Sequence, residues 1–303
     1  MRTPRPVQTF ACLGRWLNMD PNHTVLISEY TGGVFGSKAT WYILAIIPAL
    51  LSKKANAPVM MRISREEEHF IGRARPGFQG RMKVGFARDG RITAVDMYTI
   101  CNNGPYDAVG DANASGRIVS LLYQPPAMRW RGVTVLTNTP PRGPQSAPGG
   151  MQGIVIIEPI LAKAARQLSL DQVEIRKVNA PEGKAPFGPE MNGKRGHSTS
   201  AFLKEAFDRG AEQFKWKERI ARPKRSGTKV RGVGVSSSAF FAGSTGYDGL
   251  IVIRPDGRIA IQSGIGNLGT ESTSDVHRVV AEVLGVPWTK CAVTWGNTSQ
   301  NAP

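Results

Sequence analysis

The sequence predicts an α+β fold of mixed α/β layers, and three observations carry the prediction. Over the first 63 residues, apolar spacing alternates between helical and extended. Further along, two pairs of short apolar runs flank Arg88-Asp89-Gly90 and Pro255-Asp256-Gly257, turns of the kind that close β-hairpins. Glycine-rich loops around Gly32, Gly149 and Gly264 each run into a helical pattern. At 303 residues, 41% hydrophobic and 20% charged, the chain can bury a sizeable core and suits two domains.

Element by element, Phe10, Leu13, Trp16 and Leu17 recur at helical spacing over 7–19, and Asp20-Pro21-Asn22 stops that helix. Residues 24–28 read as a strand. The loop 32–38 leads into an apolar helix ending at Lys53-Lys54, and 58–63 reads as a second short buried strand. Residues 81–87 and 91–100 form the first hairpin. A polar loop is expected over 102–115, a strand over 132–136, and a proline- and glycine-rich loop over 139–150. Loops this long inside a compact protein are usually functional. Helices follow at 154–168, 171–178 and 202–214. The basic stretch 215–231 reads as a solvated linker, which places a domain boundary there: 1–225 and 226–303. Beyond it come an extended segment at 232–241, the second hairpin and the loop at Gly264. A helix over 271–284 is closed by Gly285 ahead of Pro287, and a strand over 292–295 follows. No internal repeat of fixed period is found.

Composition narrows the function. A formal charge of +16 invites a nucleic-acid reading, but the basic residues are spread along the chain. The one dense run is broken by Pro223 and Gly227 and lacks an aromatic platform, so no nucleic-acid partner is expected. Cys12, Cys101 and Cys291 lie far apart, and the four histidines have no ligand spacing, which argues against a directly bound zinc ion or iron–sulfur cluster. Any metal would arrive inside a cofactor. The longest apolar run, 39–51, contains Pro48 and is short of the roughly 20 residues a membrane span needs. A soluble, cytoplasmic chain is expected.

The glycine loops carry the remaining signal. Without a Cβ the backbone approaches a ligand closely, and free N–H groups at a helix N-terminus attract anions. None of the three loops fits the Walker or dinucleotide pattern, so together they suggest a large, partly anionic cofactor embedded among several segments.

The residues of these loops resemble a known family. Gly32-Gly33-Val34-Phe35-Gly36-Ser37-Lys38 is similar to the GGGFGGK loop of xanthine dehydrogenase/aldehyde oxidase (molybdenum hydroxylase) large subunits. Thr137-Asn138-Thr139-Pro140 through Gly149-Gly150-Met151-Gln152-Gly153 resembles the family's second cofactor segment, and the helix holding Glu158 and the run from Val173 to Asn179 follow in family order. Residues 264–272 stand in the place of the family's GGxEMGQG loop, and 297–301 in that of the segment after it.

The resemblance implies two molybdopterin-binding domains, the second truncated. It implies molybdopterin with Mo, in bacteria often the cytosine dinucleotide form, held by Gly33, Phe35, Gly36, Gly149, Gly150, Gln152, Gly269 and Thr270. It implies hydroxylation of an aldehyde or N-heterocycle with water-derived oxygen, and electron transfer to a 2Fe–2S small subunit and an FAD medium subunit. The family's catalytic base falls beyond this chain's last residue, so no catalytic residue is assigned and the rest of the large subunit is an expected partner. The alternative implied is a catalytically incomplete cofactor-binding or assembly fragment. The sequence departs from the family at Thr3-Pro4, at Ala39 in place of a substrate-facing glutamate, at Ser146 in place of an arginine with Arg142 nearby, and at Thr270 in place of a glutamine. These departures argue against purine hydroxylation.

Overall fold

The computed structural model describes residues 14–20, 23–29, 33, 35–36, 43–106, 110–191, 194–222, 225–239, 249–263 and 272–300. In chain order its elements are α1 (Ile43–Ala55), α2 (Arg65–Ile71), β1 (Gly77–Phe86), β2 (Ile92–Asn102), α3 (Asp111–Tyr123) and β3 (Met128–Val135). Then come α4 (Gly150–Gln167), α5 (Gln172–Lys177), β4 (Pro186–Met191), β5 (Lys194–His197), α6 (Leu203–Gln213) and α7 (Trp216–Ala221). The two-residue strands β6 (Arg225–Ser226) and β7 (Lys229–Val230), then β8 (Gly249–Ile253), β9 (Ile259–Ser263), α8 (Ser272–Leu284) and β10 (Cys291–Trp295) complete it. They form two compact units, one of Met1–Arg73 with Ala242–Pro303 and one of Ala74–Phe241.

The Ala74–Phe241 unit is built on a three-stranded sheet, ordered β1-β2-β3. β1 and β2 are the expected antiparallel hairpin, in register from Gly77↔Asn102 to Val84↔Val95. At its turn Gly90 takes φ +86°, and Asp89 Oδ1 accepts the Arg91 N–H at 3.1 Å. β3 lies parallel to β2, and parallel neighbours need a crossover, which α3 supplies. One face of β2 is fully buried through Val95, Met97, Thr99 and Cys101. Val95 and Met97 meet Ile118, Val119 and Leu122 of α3 and Ile157, Leu161 and Ala165 of α4 in one core.

The other unit repeats this arrangement in miniature. β8 and β9 form an antiparallel hairpin, α8 crosses over, and β10 returns parallel to β9. Ile259, Ile261, Val280, Ala281 and Cys291 make its core. The likeness extends to sequence, since Asp89-Gly90-Arg91-Ile92 and Asp256-Gly257-Arg258-Ile259 match residue for residue and both isoleucines are buried. A search for a fixed period misses a pair of motifs this far apart. In the same unit, Lys53 Nζ donates to the Leu17 carbonyl at 2.6 Å, and Leu17, Ile46 and Ala49 pack together.

Several local expectations change. Residues 58–63 form no strand: nothing pairs with them among the described residues, and Met60 is 96% exposed. Residues 24–28 reduce to a single bridge, Ile27↔Asn297, flanked by the Leu26 N–H on Thr298 Oγ1 at 2.9 Å. The polar stretch 102–115 is only half loop, because α3 begins at Asp111. Asn113, Ser115 and Gly116 are weak helix formers, and tertiary burial overrides them. The expected linker at 215–231 opens with α7, whose Trp216 is buried against Val173 and Phe207 and donates from Nε1 to Asp171 Oδ2 at 2.8 Å. The hairpin of β4 and β5 carries no sequence signal noted above. Of the helix expected over 7–19, residues 14–17 are helical and 7–13 lie outside the described residues.

Candidate functional site

The loop between β3 and α4 is held by hydrogen bonds that start at the end of β2. Asn102 Oδ1 accepts from Thr137 Oγ1 at 2.6 Å, Thr139 Oγ1 at 3.2 Å and the Gly104 N–H at 3.0 Å. Further on, the Ala74 N–H donates to the Pro141 carbonyl at 3.2 Å, and the Gly143 N–H donates to the Ala74 carbonyl at 3.1 Å. Arg75 Nη2 donates to the Ser146 carbonyl at 2.6 Å. The backbone then turns left-handed twice in three residues, at Ala147 (φ +51°) and Gly149 (φ +68°), before α4 starts. A non-glycine residue in that region costs about 1–2 kcal/mol, and such outliers cluster at functional loops.

Gly149 is required twice over, by its φ and by space. A Cβ there would lie 2.2 Å from the Asp111 carbonyl oxygen and 2.7 Å from the Ala114 Cβ. Its missing side chain lets the N-termini of α3 and α4 touch. The Gly149 N–H donates to the Asp111 carboxylate, which is almost fully buried, and burial raises that carboxyl above its ordinary range while the Gly149 N–H and Arg75 pull it down. No side chain caps α4.

What stands out is the set of polar atoms left over. Asp111 Oδ2, Arg75 Nη1, Arg142 Nε and both Gln152 amide atoms, Oε1 and Nε2, are buried without a hydrogen-bond partner. Native folds pair nearly all such groups, so several orphans on and around this loop leave donors and acceptors open to a ligand or water. Gln152 offers a donor and an acceptor side by side, as the edge of an aminopyrimidinone ring requires, and the arginines and the open end of α4 suit anionic groups. These residues therefore fit molybdopterin.

Among the other expected site residues, Gly33, Phe35 and Gly36 belong to the Met1–Arg73 segment and so to the other unit. Phe35 is left-handed at φ +52° and 75% exposed, and Gly36 has φ +107°. A Cβ on Gly33 would come within 2.8 Å of the Phe35 ring. This loop thus shares with the 147–149 turn a strained non-glycine residue beside a left-handed glycine. Gly269 and Thr270 lie outside the described residues, as do Lys38 and Ala39. Gly149, Gly150 and Gln152 fall within one turn of chain. Arg75 and Asp111 were missed in the sequence. Asp111 carried a faint signal, as an acid within a polar stretch, and Arg75 carried none.

Glu158 is a buried paired carboxylate. Arg176 Nε and Nη2 donate to its Oε2 at 2.9 and 2.6 Å, and Tyr123 Oη and the Ser237 N–H donate to its Oε1. Arg176 is 1% exposed and Glu158 8%. Among the described residues no group of three or more His, Cys, Asp or Glu could hold a metal ion, and no helix is long and apolar enough to cross a membrane.

Comparison with known proteins agrees with this geometry. Residues 2–180 match the family model of the molybdopterin cofactor-binding domain, and residues 209–303 match a second model of the same description. The putative xanthine dehydrogenase molybdenum-binding subunit XdhA of Escherichia coli (strain K12) is 32% identical over 284 residues, covering 91% of this chain and 37% of that protein. The aldehyde oxidoreductase molybdenum-binding subunit PaoC of the same strain is 28% identical over 291 residues, covering 95% and 38%. The chain therefore spans less than two fifths of the length of these relatives. Among solved structures, aldehyde oxidoreductase from Desulfovibrio gigas superposes with a TM-score of 0.84 at 21% identity, over 96% of this chain and 32% of that one. Quinoline 2-oxidoreductase from Pseudomonas putida 86 gives 0.78 at 21%, over 98% and 40%. At that identity the likeness speaks for the fold, and it is the expected mixture of helix and sheet. With its loops, its fold and both domain matches in agreement, the chain belongs to the molybdopterin cofactor-binding family, alongside the molybdenum-binding subunits of xanthine dehydrogenases and aldehyde oxidoreductases.

Proposed function

We propose that this chain is the molybdopterin-binding portion of an oxidoreductase that hydroxylates an aldehyde or N-heterocycle with water-derived oxygen. The observation that carries the reading is the Gln152 amide, buried at both polar atoms and unpartnered, on the first turn of a helix that follows a left-handed glycine. Gln152 binds the pterin edge, while Gly149 and Gly150 bring backbone N–H groups close to it. Phe35 presents backbone from a segment that Gly33 and Gly36 allow to turn, and Gly269 and Thr270 contribute further contacts to the cofactor. The bound cofactor, molybdopterin with Mo as the cytosine dinucleotide, supplies the two-electron redox chemistry. Here the protein's part is to hold that group rigidly and exclude water.

The assignment extends to architecture. Residues 1–225 serve as the first cofactor-binding domain and 226–303 as the start of the second. A 2Fe–2S subunit and an FAD subunit take the electrons, the remainder of the large subunit supplies the base, and the assembly works in the cytoplasm. Co-expression with those partners in molybdate-supplemented cells, followed by metal analysis and pterin fluorescence, tests the core claim. Stoichiometric Mo and pterin are expected, cytidine monophosphate should appear on mild acid hydrolysis, and Gln152→Ala should lower pterin content severalfold. A complex free of both pterin and Mo would end this reading.

A further inference from the structure

On the two segments joined by the Ala74↔Arg142 bridge, two guanidinium groups each keep an N–H buried with nothing to donate to. Arg75 uses Nη2 on the Ser146 carbonyl at 2.6 Å, yet its Nη1 has neither partner nor solvent. Arg142 reaches the Arg75 carbonyl with Nη1 at 3.5 Å, yet its Nε is equally stranded. The two are tied together by the Ala74↔Arg142 bridge, so they form one fixed pair. Arginine stays charged at any physiological pH and cannot escape burial by losing its proton. Each side chain is half-buried, but a sealed donor N–H on a cationic group is costly to leave unpaired, and an anion answers both the charge and the hydrogen bond.

The carboxylate whose charge Arg75 meets is Asp111, which the Gly149 N–H also holds down. The uncapped N-terminus of α4, which begins at Gly150 shortly after Ser146, adds positive potential. We infer that Arg75 and Arg142, with the start of α4, form a subsite for an oxyanion, either a carboxylate or a phosphate. The inference rests on the cofactor-loop reading for what the oxyanion is attached to: a phosphate belongs to the cofactor, a carboxylate to the substrate. Forked guanidinium donors match both groups, and each charged contact is about twice as strong as a neutral one.

Isothermal titration of the full 303-residue chain with inorganic phosphate and with benzoate, at constant ionic strength with chloride as control, tests this. Saturable binding of at least one probe is expected. Arg75→Gln and Arg142→Gln should each weaken it about tenfold, while circular dichroism verifies that both variants fold and Arg75→Lys retains part of the affinity. Preference for phosphate identifies a cofactor group and preference for benzoate a substrate carboxylate. No binding above chloride, or binding indifferent to both substitutions, overturns the subsite and leaves Arg75 with its Ser146 hydrogen bond and its charge effect on Asp111 only. Pterin content, measured separately, keeps the two readings apart. Pterin retained without oxyanion binding defeats only the subsite, and oxyanion binding without pterin defeats only the cofactor assignment.

Discussion

Replacing Arg176 with methionine breaks the buried ion pair between Arg176 and Glu158. Arg176 is 1% exposed and makes two hydrogen bonds to Glu158 Oε2 and a third, from Nη1, to the Gln172 carbonyl at 2.7 Å. Methionine fills much of the volume, so the cost comes from the carboxylate left behind rather than from a cavity. Glu158 would keep Tyr123 Oη and the Ser237 N–H on Oε1, but Oε2 would lose both its partners. Breaking a buried ion pair from one side costs about 3–5 kcal/mol. The unit holding it runs from Ala74 to Phe241, and for that size the loss corresponds to a fall in Tm of roughly 10 °C. Urea unfolding followed by circular dichroism reads the first number and a thermal melt the second. Hydrogen exchange adds a local test, because the Ser237 amide is held by the same carboxylate and should lose protection in Glu158→Gln. A stability change under 1 kcal/mol in Arg176→Met would refute the reasoning, since it would mean water reaches the pair.

Three further perturbations follow from the same contacts. Gly149→Ala places a methyl against the Asp111 carbonyl and forces φ +68° on alanine, so a loss of about 1–3 kcal/mol is expected in a chemical melt; wild-type stability would show that α3 and α4 separate easily. Burial raises the Asp111 carboxyl above its ordinary 3.8, so the folded chain holds that proton more tightly than the unfolded one. Its contribution is therefore full at low pH and is lost as pH climbs from 3.8 through the folded value, and Asp111→Asn should flatten that part of the stability profile. Tyr123 is shifted upward from 10.0 by burial and then by Glu158, which again means stability lost as pH rises, here above 10. Tyr123→Phe should remove the alkaline slope at a cost of about 1–2 kcal/mol at neutral pH, and an unchanged slope would assign it to other groups.

Much of the fold was legible because its signals are local. An Asp-Gly pair between apolar runs needs only four residues to specify a hairpin, and both such turns form with the aspartate bonded to the second residue after it. The long helix α4 announces itself by apolar periodicity, although its first turn reaches back to Gly150, into the stretch read as loop. Errors occurred where burial decided against propensity. α3 is built from residues that prefer turns, and it is helical because Ile118, Val119 and Leu122 find the sheet. Residues 58–63 are apolar enough for a strand, but no described neighbour offers them an edge.

The sequence by itself determined the class of fold, the two hairpins and the glycine loop that carries Gly149, Gly150 and Gln152, since each depends on residues a few positions apart. Only the tertiary structure decided which polar atoms went unpaired. Arg75 meets Ser146 across 71 positions, and Ser237 meets Glu158 across 79. Burial is a property of what surrounds an atom in space, and a donor's lack of a partner emerges only once the chain has closed around it.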